Sequence, residues 1–269
     1  MTITELPHGD ARPSDSTASV GAPPAIRLEE VSKLYGHAGS SVAALDRVSL
    51  EIGTGEFVCL VGASGCGKST LLSLMAGLDQ PTAGALARPA GPATLMFQDS
   101  ALFGWLTVSG NIELALRLRG VARRERRRKA AELLELVRLG GFADKRPHEL
   151  SGGMRQRVAL ARAIAQDRRI LLMDEPFGAL DAITRDVLHD ELEGIWAGTG
   201  LTIVFVTHDV SEAVRLADRV VLLTSRPGRV AEIFEVGLPR PRRDHEAVAG
   251  LSARIVDRLR EEVGRHGRD

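Results

Sequence analysis

The segment Gly62-Ala63-Ser64-Gly65-Cys66-Gly67-Lys68-Ser69-Thr70 lies between the apolar run Phe57 to Val61 and the run Leu71 to Ala76, which fits a helix. This order is typical of a strand, a glycine-rich loop and a helix. Glycines allow backbone N–H groups to curl around a polyphosphate, and the helix N-terminus adds partial positive charge. Lys68 can contact phosphate oxygens, and the Ser69 hydroxyl can ligate Mg²⁺. The segment therefore predicts a polyphosphate site; the simpler alternative is a glycine-rich turn with an exposed lysine.

Short apolar runs alternate with helical patterns from Ile26 onward, which is typical of βαβ units. Residues 94–97 form a weak candidate strand. Four other runs have the continuous apolarity of strands that are covered on both faces, at residues 57–61, 170–173, 202–206 and 220–223. These patterns predict an α/β fold with a mostly parallel sheet.

The stretch from residue 98 to residue 165 interrupts this alternation with helical patterns. Gly120 and the pair Gly140-Gly141 are expected to stop two of the helices. The expected helices lie at residues 111–119, 123–139 and 154–165. We interpret this stretch as a helical insert.

The two ends of the chain have patterns of their own. Proline and small polar residues dominate residues 1–24 and predict a disordered leader. Within residues 241–269, apolar residues recur at spacings of three and four and predict an amphipathic helix, with Val248, Leu251, Ile255, Leu259 and Val263 on one face. We expect this helix to pack on the main domain, at residues 25–240, although a partner surface is the alternative.

Composition narrows the classes to which the protein can belong. Its 269 residues include 35 Lys plus Arg and 35 Asp plus Glu, so the formal net charge is zero and argues against a nucleic-acid partner. The basic run at residues 123–129 lacks interleaved aromatics and is interpreted as a solvated helix start. Cys59 and Cys66 cannot form a disulfide framework, and the apolar stretches are far shorter than the roughly 20 residues that cross a bilayer. We therefore expect a cytosolic protein with at most a peripheral membrane role.

Two further predicted strands end in polar residues. Asp174 and Glu175 end the run that begins at Ile170, and His208 follows the run at residues 202–206. Because parallel sheets bind ligands at the carboxyl ends of their strands, these groups should lie at the same edge as the glycine-rich loop. Asp174 suits Mg²⁺, Glu175 can orient or deprotonate an attacking water, and His208 can contact a γ-phosphate. Each alone is more simply explained as a solvated acid or a hydrogen-bonded histidine, but their convergence favours a phosphate site.

A second segment of small residues leads into a helix at Leu150-Ser151-Gly152-Gly153-Met154-Arg155-Gln156-Arg157. Its amides could meet a phosphate, although a helix cap would equally explain Ser151 and the glycines. Across roughly residues 26–235, the combined order of motifs resembles the ATP-binding subunits of ABC transporters. The resemblance implies a P-loop NTPase fold with a mostly parallel core sheet, a small antiparallel subdomain and a helical subdomain at about residues 98–165.

The same resemblance implies an activity and a set of partners. Such subunits hydrolyse ATP, with Mg²⁺ as the metal, and the signature segment of one copy closes over ATP held by the glycine-rich loop of another. The expected partners are therefore a second copy in a head-to-tail dimer, transmembrane permease subunits and, indirectly, a solute-binding protein, with no nucleic acid. The expected location is peripheral, at the cytoplasmic face of the cell membrane.

Residue by residue, the resemblance assigns a role to each motif. Residues 62–70 correspond to the Walker A loop, residues 170–175 to the Walker B strand, residues 150–156 to the signature and residues 178–181 to the D-loop. The implied catalytic residues are Lys68, Gln98, Glu175 and His208, and the implied metal ligands are Ser69, Gln98 and Asp174. The implied nucleotide-binding residues are Tyr35, Gly62, Ala63, Ser64, Gly65, Cys66, Gly67, Lys68, Ser69, Thr70, Ser151, Gly152, Gly153 and Asp181. Tyr35 would stack on adenine, and a surface aromatic is its simpler explanation.

Some segments depart from the usual family pattern, and others resemble one group of importers within the family. Met154 replaces the usual signature glutamine, and the short segment at residues 84–95 leaves the small antiparallel sheet open. Phe103-Gly104-Trp105-Leu106 occupies the region that helps to form the permease groove in the family, although these could equally be core residues of the helical insert. The segments that look like the nitrate, sulfonate, taurine and bicarbonate importer group are residues 177–185, 207–213 and 225–229.

This group implies a subunit that energises import of a small solute, such as one of these anions, through a separate permease. The rival interpretation is a soluble ABC-type ATPase that acts on nucleic acid or the ribosome without a permease. The sequence argues against the rival, because such proteins usually carry long coiled-coil insertions or two tandem ATPase units and this chain has neither.

Overall fold

The computed structural model describes residues 23–36, 41–242 and 244–266, without the side chains of residues 245, 265 and 266. Residues 1–22 of the expected leader lie outside this part of the chain. The strands are β1 (Ile26–Tyr35), β2 (Val42–Ile52), β3 (Phe57–Val61), β4 (Ala83–Ala87), β5 (Ala93–Met96), β6 (Ile170–Asp174), β7 (Thr202–Val206), β8 (Arg219–Leu223) and β9 (Val230–Glu235). The helices are α1 (Lys68–Ala76), α2 (Val108–Leu118), α3 (Arg123–Leu136), α4 (Gly152–Ile164), α5 (Ala182–Thr199), α6 (Val210–Leu216) and α7 (His245–His266).

The main sheet has six strands in the order β5-β6-β7-β3-β8-β9. Its first five strands run parallel, and β9 pairs antiparallel with β8. Every residue of β3 and of β7 is buried, which is why their sequences are continuously apolar. The predicted α/β fold is therefore confirmed, and the five predicted strands lie within one residue of their expected bounds.

A smaller antiparallel sheet has the order β2-β1-β4. The short segment at residues 84–95 still supplies β4, so the antiparallel subdomain that the sequence left open is present. Leu28 of β1 and Leu45 of β2 join Leu72 of α1 in an apolar layer on one face of the main sheet. Helices α2 to α6 contribute to the layer on the other face. The main sheet is thus enclosed between two apolar layers.

The three helices of the insert differ from prediction at their ends. Helix α2 begins at Val108 instead of Asn111 because the Thr107 hydroxyl caps it by accepting the N–H of Gly110. Helix α4 begins two residues earlier than expected, directly after Ser151. Helix α3 ends at Leu136, three residues before the expected end at residue 139. The chain leaves that helix at Arg138, whose φ of +56° is left-handed, so the helix stops before the glycines.

Helix α7 packs on the main body with most of its apolar stripe. Ile255 is fully buried, and Val248, Leu251 and Leu259 are partly buried against the core, whereas Val263 is 47% exposed. No helix in the described part of the chain is both long and apolar enough to cross a membrane. The domain boundaries at residues 25 and 240 stay predictions.

A buried arginine connects the end of the main body to helix α6. Arg242 is 6% exposed, and its guanidinium donates to the carbonyl oxygens of Val214, Ala217 and Val236, at 3.0, 2.5 and 3.1 Å. Burial lowers the pKa of Arg242 to about 10, so the side chain remains charged at neutral pH. Because helix α6 ends at Leu216, the bonds to Val214 and Ala217 satisfy carbonyl groups at the end of this helix, and the bond to Val236 joins it to the segment after β9.

Candidate active site

The glycine-rich loop connects β3 to the N-terminus of α1. Gly67 precedes the helix with a left-handed φ of +98°, and a Cβ there would lie 2.8 Å from the carbonyl oxygen of Ala44. No side chain caps α1, whereas Ser151, Asp181 and Asp209 cap helices α4, α5 and α6. The first-turn amides of α1 are therefore available to an anion at this end of the helix.

A cavity of about 500 Å³ lies over this loop, within the range of small-molecule sites. Of the residues predicted for the site, those that line it are Tyr35, Gly62, Ser64, Gly65, Gly67, Lys68, Ser69, Thr70, Glu175 and His208. The structure thus brings the loop, the carboxylate and the histidine to one place. Ala63 and Cys66 belong to the loop but do not line the cavity, and Cys66 is only 1% exposed.

Lys68 is folded back into the loop. Its Nζ atom donates to the carbonyl oxygens of Gly62 and Ala63, at 2.8 and 3.0 Å, and lies 3.7 Å from the sulfur of Cys66. The side chain is 8% exposed. The ammonium group is therefore held beside the amides that would cradle a phosphate, where it can add a full positive charge.

Asp174 and Ser69 form the part of the site that fits a divalent cation. Burial raises the pKa of Asp174, a hydrogen bond from Ser69 lowers it, and the adjacent Glu175 raises it further. A cation would offset both the burial and the repulsion between the carboxylates. The described residues contain no group of three or more His, Cys, Asp or Glu that could hold a metal ion by itself. Mg²⁺ would accordingly be held by Asp174 and Ser69 together with phosphate oxygens, as is usual for this ion.

Glu175 and His208 form a pair at the cavity wall. Oε2 of Glu175 lies 3.0 Å from Nδ1 of His208. The backbone N–H of Glu175 donates to Val206 of β7 at 3.0 Å, and the residue has a left-handed φ of +45°. A non-glycine residue in this conformation is costly and persists where its surroundings hold it. The pairing leaves the other carboxylate oxygen of Glu175 available for a water molecule.

Gln98 lies near this pair without lining the cavity. Its Nε2 atom is 3.4 Å from the position that a Cβ of Gly178 would occupy, and Oε2 of Glu175 is 3.7 Å from the same position. The backbone oxygen of Gln98 accepts a hydrogen bond from Gln156 of α4, at 2.6 Å. The glutamine segment is therefore tied to the helix that begins at Ser151, a connection that the sequence did not predict.

Ser151, Gly152, Gly153 and Asp181 do not line the cavity of their own chain. Ser151 accepts the N–H of Met154 at 3.3 Å, and Asp181 accepts the N–H of Thr184 at 3.0 Å. Within one chain, the helix-cap alternative therefore describes what the Ser151 side chain does.

Arg226 lines the cavity and was missed by sequence reasoning. Its Nη2 atom lies 3.8 Å from the position that a Cβ of Gly65 would occupy. The turn that carries it is braced against the loop, because a Cβ on Gly228 would lie 2.1 Å from the carbonyl oxygen of Cys66. Since β8 runs parallel to β3, applying the strand-end rule to β8 would have found this turn.

A parallel sheet that presents a glycine-rich loop, a carboxylate pair and a histidine along one edge defines a P-loop nucleotide hydrolase. A family model described as ABC transporter matches residues 45–178. An uncharacterised ABC transporter ATP-binding protein of Methanocaldococcus jannaschii is 45% identical over 247 residues, which cover 88% of this chain and 92% of that protein. The chain belongs to the ABC transporter family and is an ATPase of the ABC type.

Other relatives carry more specific names. The nitrate import ATP-binding protein of a Synechocystis species is 46% identical over 80% of this chain and 83% of that protein. The taurine import ATP-binding protein of Mesorhizobium japonicum is 45% identical over 86% of this chain and 91% of that protein. A bacterial ABC transporter cassette solved as a dimer has a TM-score of 0.70 and 35% identity, covering 80% of this chain and all 100% of that chain. The importer group that the sequence resembles therefore matches the names of these relatives.

The contact between Gly228 and the phosphate loop predicts a steric test. Gly228→Ala should push Cys66 and the loop out of place, weakening ATP binding by about tenfold or more, since each lost phosphate hydrogen bond costs about 1.5–3 kcal/mol. Calorimetry measures the affinity. Gly237→Ala is the matched control, because a Cβ there meets nothing within 4 Å. Unchanged ATP affinity in Gly228→Ala would contradict the conclusion that the turn at Gly228 holds the phosphate loop in place.

Proposed function

We propose that this chain is the ATP-hydrolysing subunit that energises import of a small solute through separate permease subunits. The supporting observation is the convergence of Lys68 and the Glu175–His208 pair on one cavity, with Asp174 hydrogen-bonded to Ser69 of the cavity wall. The names of the nitrate and taurine import relatives support a small anion such as nitrate, sulfonate, taurine or bicarbonate as the solute.

Different residues of the site bind different parts of the Mg-ATP complex in this proposal. The amides of residues 62–70 and the Lys68 ammonium bind the triphosphate, and Tyr35 packs against adenine. The Tyr35 hydroxyl donates to Asp79 at 3.0 Å, which holds the ring at the mouth of the cavity. Ser69, Asp174 and Gln98 would hold Mg²⁺, which neutralises charge on the phosphates when bound.

Glu175 is the residue that activates water in this mechanism. The His208 contact holds one carboxylate oxygen, and the other orients the attacking water and takes its proton. Because His208 is 65% exposed at its side chain while Glu175 is 28% exposed, the pair faces the open side of the cavity. Entry of a phosphate there places the γ-phosphoryl group between the loop and the pair.

A second copy of the chain completes the site in this proposal. Ser151 is exposed, and helix α4 begins directly after it, so its first-turn amides can reach a phosphate bound to another copy. Ile183, two residues after Asp181, is 79% exposed, as expected of a side chain that a partner covers. The dimeric form of the related cassette supports a head-to-tail pair with two composite sites.

A pair of aromatic residues on the helical insert is proposed as the permease contact. Trp105 is 72% exposed, so the alternative that it is a core residue is wrong. Its ring lies 5.2 Å from that of Phe103, which is half-buried under the guanidinium of Arg162. Such exposed aromatic anchors are typical of binding surfaces. The subunit would then lie at the cytoplasmic face of the membrane, with a solute-binding protein acting through the permease.

Neutralising Glu175 should separate binding from hydrolysis. Glu175→Gln should lower phosphate release by about 10²- to 10⁴-fold, because the general base is lost, while ATP affinity stays within about threefold. Single-turnover phosphate release and calorimetry measure the two quantities. Glu246→Gln, an exposed residue in the first turn of α7, is the control and should behave as wild type. Normal phosphate release from Glu175→Gln would remove Glu175 from the role of base.

The permease contact predicts a loss of complex without a loss of ATPase activity. Trp105→Ala should reduce recovery of the co-purifying membrane protein by about tenfold, since a buried anchor is worth more than 1 kcal/mol, while the isolated chain hydrolyses ATP normally. Leu118→Ala is the control, because Leu118 is also 80% exposed on the insert. Recovery of the full complex with Trp105→Ala would place the contact elsewhere.

The rival function, an ATPase that acts on nucleic acid or the ribosome, predicts a different result. ATP hydrolysis that DNA or RNA stimulates, with a stimulation that falls steeply as the salt concentration rises, would favour it.

A further inference from the structure

Three buried polar side chains connect helix α5 to the turn that carries His208. They are His189 of α5, Glu212 of α6 and Thr207 at the end of β7, which are 3%, 8% and 2% exposed. Nε2 of His189 lies 2.5 Å from Oε1 of Glu212, and the Thr207 hydroxyl donates to Oε2 of Glu212. One hydrogen bond therefore joins His189 to Glu212, and a second joins Glu212 to Thr207.

The Thr207 hydroxyl also holds the backbone on the far side of His208. Its Oγ1 atom accepts the N–H of Asp209 at 3.0 Å. Asp209 in turn caps helix α6 by accepting the N–H groups of Ser211 and Glu212, at 2.9 and 3.2 Å. His208 lies between these two restrained residues, so the direction of its exposed side chain depends on the backbone of this turn.

The other end of the network touches the segment that leaves Glu175. The His189 ring packs on Phe177, two residues after Glu175, with 5.7 Å between the ring centroids. Phe177 is 1% exposed. Nδ1 of His189 makes no hydrogen bond within the described structure and lies 3.9 Å from Oδ1 of Asp186, so the much shorter bond to Glu212 is the hydrogen bond that orients the ring. His189 therefore contacts Phe177, in the segment that follows Glu175, directly. It is linked to the turn that carries His208 through Glu212.

Burying a carboxylate is costly unless hydrogen bonds compensate it, and apolar side chains could fill the same volume. We propose that His189, Glu212 and Thr207 are positioning residues that hold His208 at hydrogen-bond distance from Glu175. The proposal rests on the proposed role of the Glu175–His208 pair in hydrolysis. It makes the position of helix α5, which begins directly after Asp181, a determinant of that distance.

The hydroxyl of Thr207 gives the sharpest test, because valine has nearly the same shape. Thr207→Val should lower kcat by about tenfold or more while KM for ATP changes by less than about twofold, and Thr207→Ser should restore kcat to within about threefold of wild type. Steady-state phosphate release measures both constants. His189→Gln, whose amide can still donate to Glu212, should retain more activity than His189→Leu.

The matched control is Thr202→Val at the start of β7. Thr202 is fully buried and its hydroxyl accepts the N–H of Gly55 at 2.9 Å. Thr202→Val should therefore destabilise the fold about as much as Thr207→Val. Unlike Thr207→Val, it should leave kcat unchanged. Urea unfolding of both variants verifies that they fold. An equal loss of kcat in Thr202→Val and Thr207→Val, or no loss in Thr207→Val, would overturn the proposal that the network positions His208.

A double variant separates this proposal from the proposed function. If Thr207 acts through His208, adding Thr207→Val to His208→Ala should lower kcat no further. A further loss of the same size as in the wild-type background would show that Thr207 does not act through His208. If His208→Ala alone leaves hydrolysis unchanged, the role of the Glu175–His208 pair fails first.

Discussion

The parallel pairing of β6, β7, β3 and β8 is the constraint on which the whole site depends. Parallel strands end on the same edge, so residues far apart in sequence meet there. The edge collects Lys68 after β3, Glu175 after β6, His208 after β7 and Arg226 after β8. Because β3 and β7 are buried along their whole length, the edge has little freedom to shift. Fixed positions of this kind suit a reaction in which catalysis is mostly positioning and charge stabilisation.

The two helix starts that the sequence assigned to phosphate binding differ in the structure. Helix α1 begins directly after Gly67 without a side-chain cap and offers its amides to an anion in the cavity of its own chain. Helix α4 begins directly after Ser151, whose side chain caps it, and its first residues do not line that cavity. The start of α4, whose proposed ligand is also a phosphate, therefore does not share the cavity of α1 within one chain. Two copies placed head to tail would bring each end to the nucleotide of the other, which is why the proposed activity belongs to a dimer.

Local sequence patterns predicted much of the fold and many of the residues that line the cavity. Contacts between residues far apart in the sequence could not be predicted. Continuous apolar runs located four of the five parallel strands, because buried strands of a parallel sheet contain little else, whereas β5 is only partly buried and was a less distinct candidate. The helix ends were predicted less well: the cap at Thr107 and the left-handed Arg138 act through single residues that periodicity does not detect. The His189–Glu212 bond joins residues 23 positions apart on two helices, and nothing in the sequence pairs the two residues. The roles assigned to the site residues stay predictions.

Sharing of the site between two copies can be measured by mixing two inactive variants. Lys68→Ala removes the cation of the phosphate loop, and Ser151→Asp keeps a good cap for α4 while placing a negative charge against the triphosphate. Random pairing gives heterodimers in about half of the dimers, each with one of its two sites intact, so the mixture should regain about a quarter of wild-type ATPase activity. A mixture as inactive as the separate variants would contradict a site built from two copies.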